Sequence, residues 1–279
     1  MKLIGKLRGK RKKTDVNAKI EFLHDCLLID NSILVLGDLH IGYEEHIAEK
    51  GIFPRVQYKE IIEKLNGVFW NLSMKGVKIK QIVILGDLKH EFGGVSESEW
   101  SETLRFLDYL DEKIMKSGKD VKKSDRIILV KGNHDNLIGP IAKKRDVKIA
   151  DFYEYREICF MHGHKLHGKC FEKSGILILG HLHPAITLSD KYKKEKYKCF
   201  LCGKWKKKQV YILPSFSPIS FGFDLNALGS VMDNSKGFLI IKDRLLREFE
   251  VIIYNNEENK EYNFGKLRGL IKQGVNKWV

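Results

Sequence analysis

The sequence predicts an α/β fold in which a parallel sheet packs face to face on a second sheet, with helices outside both. Two observations predict it. In the first half, short apolar runs of strand length alternate with segments whose apolar residues recur at helical period, giving β-α-β-α-β, the order of a parallel sheet with crossover helices. In the second half the pattern turns mostly to strands, enough for another sheet.

Taken in order, Lys19 to Leu23 and Cys26 to Ile29 read as strands, and the polar turn Asp30-Asn31-Ser32 feeds a third, Ile33 to Leu36. Val56 to Met74 carries Ile61, Ile62, Leu65, Val68, Phe69 and Leu72, an apolar face of a helix. A second helix starts near Ser96, where Ser96 and Glu99 have capping-box spacing, and continues through Trp100, Leu104, Leu107, Leu110 and Ile114. Strands Gln81 to Leu85 and Ile127 to Lys131 follow these helices. A short helix is expected to run to Lys144. Beyond it come strands Glu157 to Met161, Ile176 to Leu179, Tyr197 to Leu201, Gln209 to Leu213, Phe238 to Ile241 and Glu248 to Tyr254.

With 279 residues, one principal domain is expected: a basic arm over 1–18, a main domain over 19–254, and a polar tail over 255–279 with an amphipathic end (Leu267, Leu270, Ile271, Val275, Trp278). No run approaches the roughly 20 apolar residues of a membrane span, and no secretory signal is evident, so a cytoplasmic location and no membrane partner are expected. Five scattered cysteines do not make a disulfide framework, so reduced thiols are expected. Cys199 and Cys202 have the spacing of half a zinc knuckle, which Cys170, His164 or His167 could complete, but ordinary strand cysteines are the simpler reading.

The formal net charge is +14, and it is concentrated. Residues 1–13 hold seven Lys or Arg and no acid; residues 191–208 hold nine Lys against Glu195 alone, and read as a hairpin with its tip around Gly203. Two such segments point to a polyanionic partner, nucleic acid before an acidic membrane. Lys193, Lys194, Lys196, Lys204, Lys206 and Lys207 are the candidate phosphate contacts, and Trp205 a candidate base-stacking side chain.

Five strings carry the chemistry: GDLH (Gly37 to His40), GDLKH (Gly86 to His90), GNHD (Gly132 to Asp135), HGH (His162 to His164) and GHLH (Gly180 to His183). Each follows an apolar run of strand length, and ligands in open α/β sheets gather beyond the carboxyl ends of strands. Asp38 and His40, two apart at a strand end, are expected to point the same way. Asp87 has two carboxylate oxygens and can bridge two ions; Asn133 offers an amide oxygen, and His162, His181 and His183 offer imidazoles. Mixed N and O donors without thiolate suit Mn, Fe, Zn or Co. Two such ions would serve phosphoester hydrolysis. His134 is expected over the substrate as general acid, with Asp135 accepting its other ring N–H; His90 and His164 are open between phosphate contact, support and a structural role.

These strings resemble those of the calcineurin-like metallophosphoesterases over residues 19–254. The resemblance implies a four-layer α/β/β/α sandwich of two mixed sheets, with Asp38, His40, Asp87 and His183 on one metal and Asp87, Asn133, His162 and His181 on the other. Within the family, GDLHIGYE, LGDLKHEFG, GNHD, GHLHPA and LPSFSP are similar to the archaeal SbcD-related phosphoesterases and to the bacterial enzymes associated with DNA ligase and helicase. That implies Mn²⁺-dependent phosphodiester hydrolysis on DNA, beside a helicase. With the basic segments holding the strand, the leading expectation is a DNA nuclease, exo- or endonucleolytic, acting in repair with single strands among its substrates. Two other readings stand next to it: a phosphodiesterase for cyclic nucleotides or other small esters, and a helicase-associated scaffold with an idle metal site.

Overall fold

The computed structural model describes residues 18–48, 55–116, 121–189, 192–229 and 239–272. The first half forms β1 (Ile20–Leu23), β2 (Cys26–Ile29), β3 (Ile33–Leu36), α1 (Tyr43–Ala48), α2 (Gln57–Met74), β4 (Gln81–Ile84), α3 (Glu97–Lys116), α4 (Lys123–Arg126), β5 (Ile127–Val130), α5 (Gly139–Arg145) and β6 (Lys148–Ala150). The six strands make one sheet in the order β1-β2-β3-β4-β5-β6, parallel from β3 onward and antiparallel before it.

The second half forms β7 (Tyr153–Tyr155), β8 (Ile158–Met161), α6 (Gly168–Lys173), β9 (Ile176–Leu179), β10 (Pro184–Ser189), β11 (Lys194–Lys198), β12 (Phe200–Trp205), β13 (Lys208–Ile212), β14 (Phe223–Asp224), α7 (Asp243–Leu246), β15 (Glu250–Asn255), β16 (Lys260–Lys266) and α8 (Leu267–Lys272). Seven of these strands make a mixed sheet, β16-β15-β12-β13-β9-β8-β7. A third sheet, β11-β10-β14, is not expected from the sequence.

The layering follows from side-chain alternation. On β3, Leu34 and Leu36 face the helices α2 and α3, while Ile33 and Val35 face the other sheet; β4 and β5 repeat the pattern. Val83, Leu85, Ile128 and Val130 meet Ile158, Phe160, Ile178 and Phe200 in the core between the sheets. The far face of the seven-stranded sheet buries Leu177, Leu179 and Ile212 against Leu246 and Leu267. The architecture is therefore the four-layer sandwich. Helix α2 buries Ile61, Leu65, Val68 and Leu72, spaced as a helix face demands. Its first amides are held from outside: Glu44 Oε2 accepts the N–H groups of Val56 and Gln57, each at 2.8 Å.

Several expectations change. The segment 191–208 is not one hairpin. Strand β11 pairs with β10, whereas β12 pairs with β13 in the large sheet through a two-residue turn at Lys206 and Lys207, both at positive φ (47° and 67°). Gly203 lies inside β12, where a Cβ would stand 2.5 Å from the Phe249 ring, so it serves ring packing and not a turn. Leu239 to Ile241 form no strand; Ile240 instead donates its N–H to the carbonyl of Gly163, and Phe238 lies outside the described residues. The segment after 254 continues as β16, paired with β15, and Leu267 is buried. The basic arm up to residue 17, and Val275 and Trp278, lie outside the described residues.

Cys159 and Cys170 are joined by a disulfide, contrary to the expectation of reduced thiols; β8 and α6 bring their Cα atoms to 5.7 Å, within bridging range. Cys199 and Cys202 do not form a metal site: Cys199 faces the helix-side core and Cys202 the core between the sheets. Both are free, and burial pushes their thiols well up, so they stay protonated.

Candidate metal centre

The five strings meet at the carboxyl ends of β3, β4, β5, β8 and β9. The first two loops run side by side as a continuation of the sheet: the N–H groups of Asp38, His40 and Ile41 donate to the carbonyls of Gly86, Asp87 and Leu88 at 2.9–3.0 Å. The common direction of Asp38 and His40 does not come from strand alternation, since β3 ends at Leu36. It comes from left-handed backbone at Asp38 (φ 55°) and His40 (φ 49°), and Asp87 (48°), His181 (69°) and His183 (50°) share that conformation. Non-glycine residues adopt it at a cost, which the surrounding hydrogen bonds must offset. Two glycines leave room for the carboxylates: a Cβ on Gly132 would stand 2.2 Å from Asp87 Oδ1, and one on Gly180 2.7 Å from Asp38 Oδ2.

The candidate ligands fall into two groups that touch. Asp38, His40 and His183 form the first and Asp87, His162 and His181 the second, with one ligand atom from each residue within 4.8 Å of the others in its group. Asn133 joins the second group, its Oδ1 lying 3.1 Å from His162 Nε2. Asp87 Oδ2 faces both, 3.2 Å from His162 Nε2 and 3.8 Å from His40 Nε2, the placement a bridging carboxylate needs. Asp38 Oδ2 accepts the His181 N–H at 3.0 Å. Its Oδ1 is buried without a directed hydrogen bond, 3.2 Å from His183 Nε2. An orphaned carboxylate oxygen among imidazoles fits a divalent cation.

The electrostatics point the same way. Burial opposes ionisation of Asp38 and Asp87, but the imidazoles of His183 and His162 outweigh it and hold both carboxyls below the usual range. Burial likewise opposes charge on His162, yet its pairing with Asp87 and Asp38 raises it to about 9. Desolvation lowers His40 to about 3, and desolvation with the nearby His162 lowers His181 to about 4, leaving neutral rings available as ligands.

His134 stands at the edge of the second group. Its N–H donates to Asp87 Oδ1 at 2.9 Å, and its Nε2 lies 3.9 Å from Asp87 Oδ2. The expected pairing with Asp135 does not occur. Asp135 is buried and accepts the N–H groups of Leu88 (3.0 Å) and Gly132 (2.9 Å), so both its oxygens are taken by backbone. His134 Nδ1 turns instead to the carbonyl of His90. His90 itself is in the site, with Nδ1 3.5 Å from His40 Nδ1 and its ring stacked on His134 at 5.4 Å. His164 is exposed, its ring 5.2 Å from His162.

The basic candidates separate. Lys194 and Lys196 are exposed on β11, and Lys196 donates to the carbonyl of Gly222, whose backbone packs on the carbonyl of His183. Lys193 pairs with Glu195. Lys204, Lys206 and Lys207 lie elsewhere: β13 runs parallel to β9, so the β12–β13 turn is at the end of the sheet away from His181 and His183. Trp205 is buried against Phe171 at 5.4 Å and cannot stack on a base.

Sequence reasoning passes over the residues that brace these loops. Ser215 Oγ donates to the Asp38 carbonyl at 2.6 Å, Phe216 N–H to Gly37 at 3.0 Å, and Gln57 Nε2 to the His40 carbonyl at 2.8 Å. The LPSFSP string, which in the sequence carries only a resemblance, is thus a backbone support. A polar Gln57 beginning an apolar helix face is the other available signal.

A sandwich with acid-bridged clusters of Asp, Asn and His at its strand ends defines a metal-dependent phosphoesterase. The Calcineurin-like phosphoesterase family model matches residues 32–229, more than half of the chain, and the chain belongs to that family. It is therefore a hydrolase by family, and the family uses divalent metal ions, which the clusters here are suited to hold. Among solved structures, nuclease MPE of Pseudomonas putida is similar over 89% of this chain and 100% of its own, at 17% identity and a TM-score of 0.53, a likeness of fold. YfcE, a phosphoesterase from E. coli, aligns at 13% identity and a TM-score of 0.36 over 84% of this chain and 98% of its own. A Vps29 double mutant from Entamoeba histolytica aligns at 16% and 0.29 over 68% and 79%. No curated protein sequence matches this one. Among the described residues no helix is long and apolar enough to cross a membrane.

Proposed function

We propose that this protein is a Mn²⁺-dependent nuclease that hydrolyses phosphodiesters of DNA, single strands included, in repair. The observation that carries the reading is the exposed basic strand β11, tied through Lys196 to the loop that packs on His183, so that cationic surface adjoins the candidate ligands. The likeness of fold to nuclease MPE supports it, as does the resemblance of the motif strings to the SbcD-related and ligase- and helicase-associated enzymes. A helicase partner rests on that resemblance.

Asp38, His40, Asp87 and His183 would hold one ion, and Asp87, Asn133, His162 and His181 the other. When bound, two divalent cations supply Lewis acidity toward a phosphoryl group and an acidified water. His134 Nδ1 is fixed by the His90 carbonyl, which leaves Nε2 to give a proton to the departing oxygen. His90 is stacked on His134 and helps to hold that ring; its contact with the phosphate rests on the resemblance of the GDLKH string.

A second reading, hydrolysis of small diesters, is favoured by the placement of Lys204, Lys206 and Lys207 at the far end of the sheet, which leaves β11 alone to grip a long polyanion. One matrix of experiments tests both: Mn²⁺, Zn²⁺, Co²⁺ and Fe²⁺ against linear and circular, single- and double-stranded DNA and against bis(p-nitrophenyl) phosphate. The nuclease reading expects DNA turnover well above that of the small diester; equal or lower rates on DNA would sink it.

A further inference from the structure

Outside the two groups around Asp38 and Asp87, His46, His90 and Glu91 also bring one ligand atom each to within 4.8 Å of one another. His46 stands on α1, one turn beyond Tyr43, whose ring lies 4.5 Å from His90. His90 and Glu91 belong to the loop after β4. The cluster His40, His90 and His134 shares a candidate ligand with the first group and belongs to the centre already described.

Two buried charged residues, neither among the candidate ligands of the two-metal centre, fix these segments to each other. Glu99 is buried, and its Oε1 accepts the N–H groups of His90 (2.7 Å) and Glu91 (3.0 Å). It also lies against Gly42, where φ is 92° and a Cβ would be 3.0 Å from Glu99 Cγ, so the start of α1 and the His90 loop share one clamp. Lys89 is fully buried and gives its ammonium to the carbonyls of Glu91 and Gly94. Burying a carboxylate and an ammonium is costly unless each is bonded; Glu99 Oε2 has no hydrogen-bond partner, but Glu99 Oε1 and the Lys89 ammonium both bond the backbone of one short surface loop. These bonds brace the loop that carries His90 and Glu91, as a metal site requires.

We propose that His46, His90 and Glu91 form a third divalent-cation site at the rim of the centre, suited to Zn²⁺, where the ion grips the phosphate next to the one being cut. Two imidazoles and one carboxylate leave a coordination position open, and nitrogen donors bind Zn²⁺ more tightly than Mn²⁺. His46 and Glu91 are exposed, so an ion would reach the cluster from solvent. The phosphate role rests on the phosphodiesterase reading; the cation site does not.

The test counts ions. The full chain, dialysed against zinc-buffered solution and assayed by plasma mass spectrometry, should hold three Zn²⁺ per chain, and His46→Gln and Glu91→Gln should each hold two, which also reports an intact dinuclear centre. Both variants should raise KM for a DNA trinucleotide several-fold and leave bis(p-nitrophenyl) phosphate hydrolysis unchanged. Two ions in the parent chain, or three in both variants, would overturn the site. Three ions in the parent, two in the variants and no activity on any diester would overturn the nuclease reading and leave the cation site standing.

Discussion

Gly132 and Asp87 are in contact so close that the backbone of one shapes the other: a methyl on Gly132 would stand 2.2 Å from Asp87 Oδ1 and 2.4 Å from its amide nitrogen. The clash falls on backbone and on the carboxylate that faces both groups. Gly132→Ala is therefore expected to displace Asp87 and to lower kcat/KM by about 100-fold, the scale of a misplacement near 1 Å. Far-ultraviolet circular dichroism should stay native. An active variant would show that Asp87 does not need this position.

Asp87→Asn keeps the shape and removes the charge. Supporting residues of metal sites cost 10–100-fold when changed, so if Asp87 bridges the two ions this change should cost at least about 100-fold in activity. Titration calorimetry with Mn²⁺ should show the loss of tight binding at both positions, since Asp87 Oδ2 faces His40 and His162 alike.

His134 and Asp135 should behave differently although they are neighbours. On the nuclease reading with His134 as general acid, His134→Gln should lower kcat on DNA by about 100-fold or more, and much less on an ester whose leaving group needs no proton. Asp135→Asn loses an acceptor for Leu88 or Gly132 and should cost about 1–3 kcal/mol of stability, read by guanidinium unfolding, with the pH–rate profile unmoved. A shifted profile in Asp135→Asn would restore it to the proton path.

Lys198 gives a pH signature from a residue that is not a candidate ligand; its Nζ donates to the carbonyls of Ser215 and Ser217 in the bracing segment. Burial, together with nearby Lys64 and only partly offset by Asp25, lowers it from 10.5 to about 7. Between about 7 and 10.5 the unfolded chain keeps this proton and the folded chain releases it, so the folded state gains stability as pH rises through that window. Below it both states are charged and burial carries its full cost. Unfolding in chelator at pH ~7 and ~9.5 should show a steeper gain for the parent chain than for Lys198→Met; equal slopes would refute the shift.

On the nuclease reading, replacing Lys194 and Lys196 with Ala should weaken DNA binding and reduce its salt slope by about 1 for each phosphate deprived of its lysine. Lys206→Ala with Lys207→Ala, at the other end of the sheet, should leave both unchanged. Filter binding across a salt series checks the pair.

The first half of the fold is legible because its strands are apolar on both faces and its helices carry clear stripes: Leu34 and Ile33 reveal a doubly buried strand, and Ile61 to Leu72 a helix. The meeting of the seven candidate ligands is legible from order along the chain and position after strands. What is not legible depends on geometry without a composition signal. Lys206 and Lys207 make a tight turn in left-handed backbone with no Gly, Asn or Asp, so sequence alone puts the turn at Gly203, a residue spared its side chain for Phe249. Adjacency makes Asp135 look like a partner for His134, but the tight GNHD turn aims its carboxylate back at Gly132. Strand β16 is polar because it lies at a sheet edge, and its partly exposed sequence reads as tail.

The bond from Ser215 to the carbonyl of Asp38 joins positions 177 residues apart. A growing polypeptide that has released only its first sheet carries Asp38, His40, Asp87 and Asn133 but lacks the imidazoles of the second half and the serine that secures the first loop. Both candidate ligand groups, and the bond that braces the first loop, are thus completed only once the second sheet has been made.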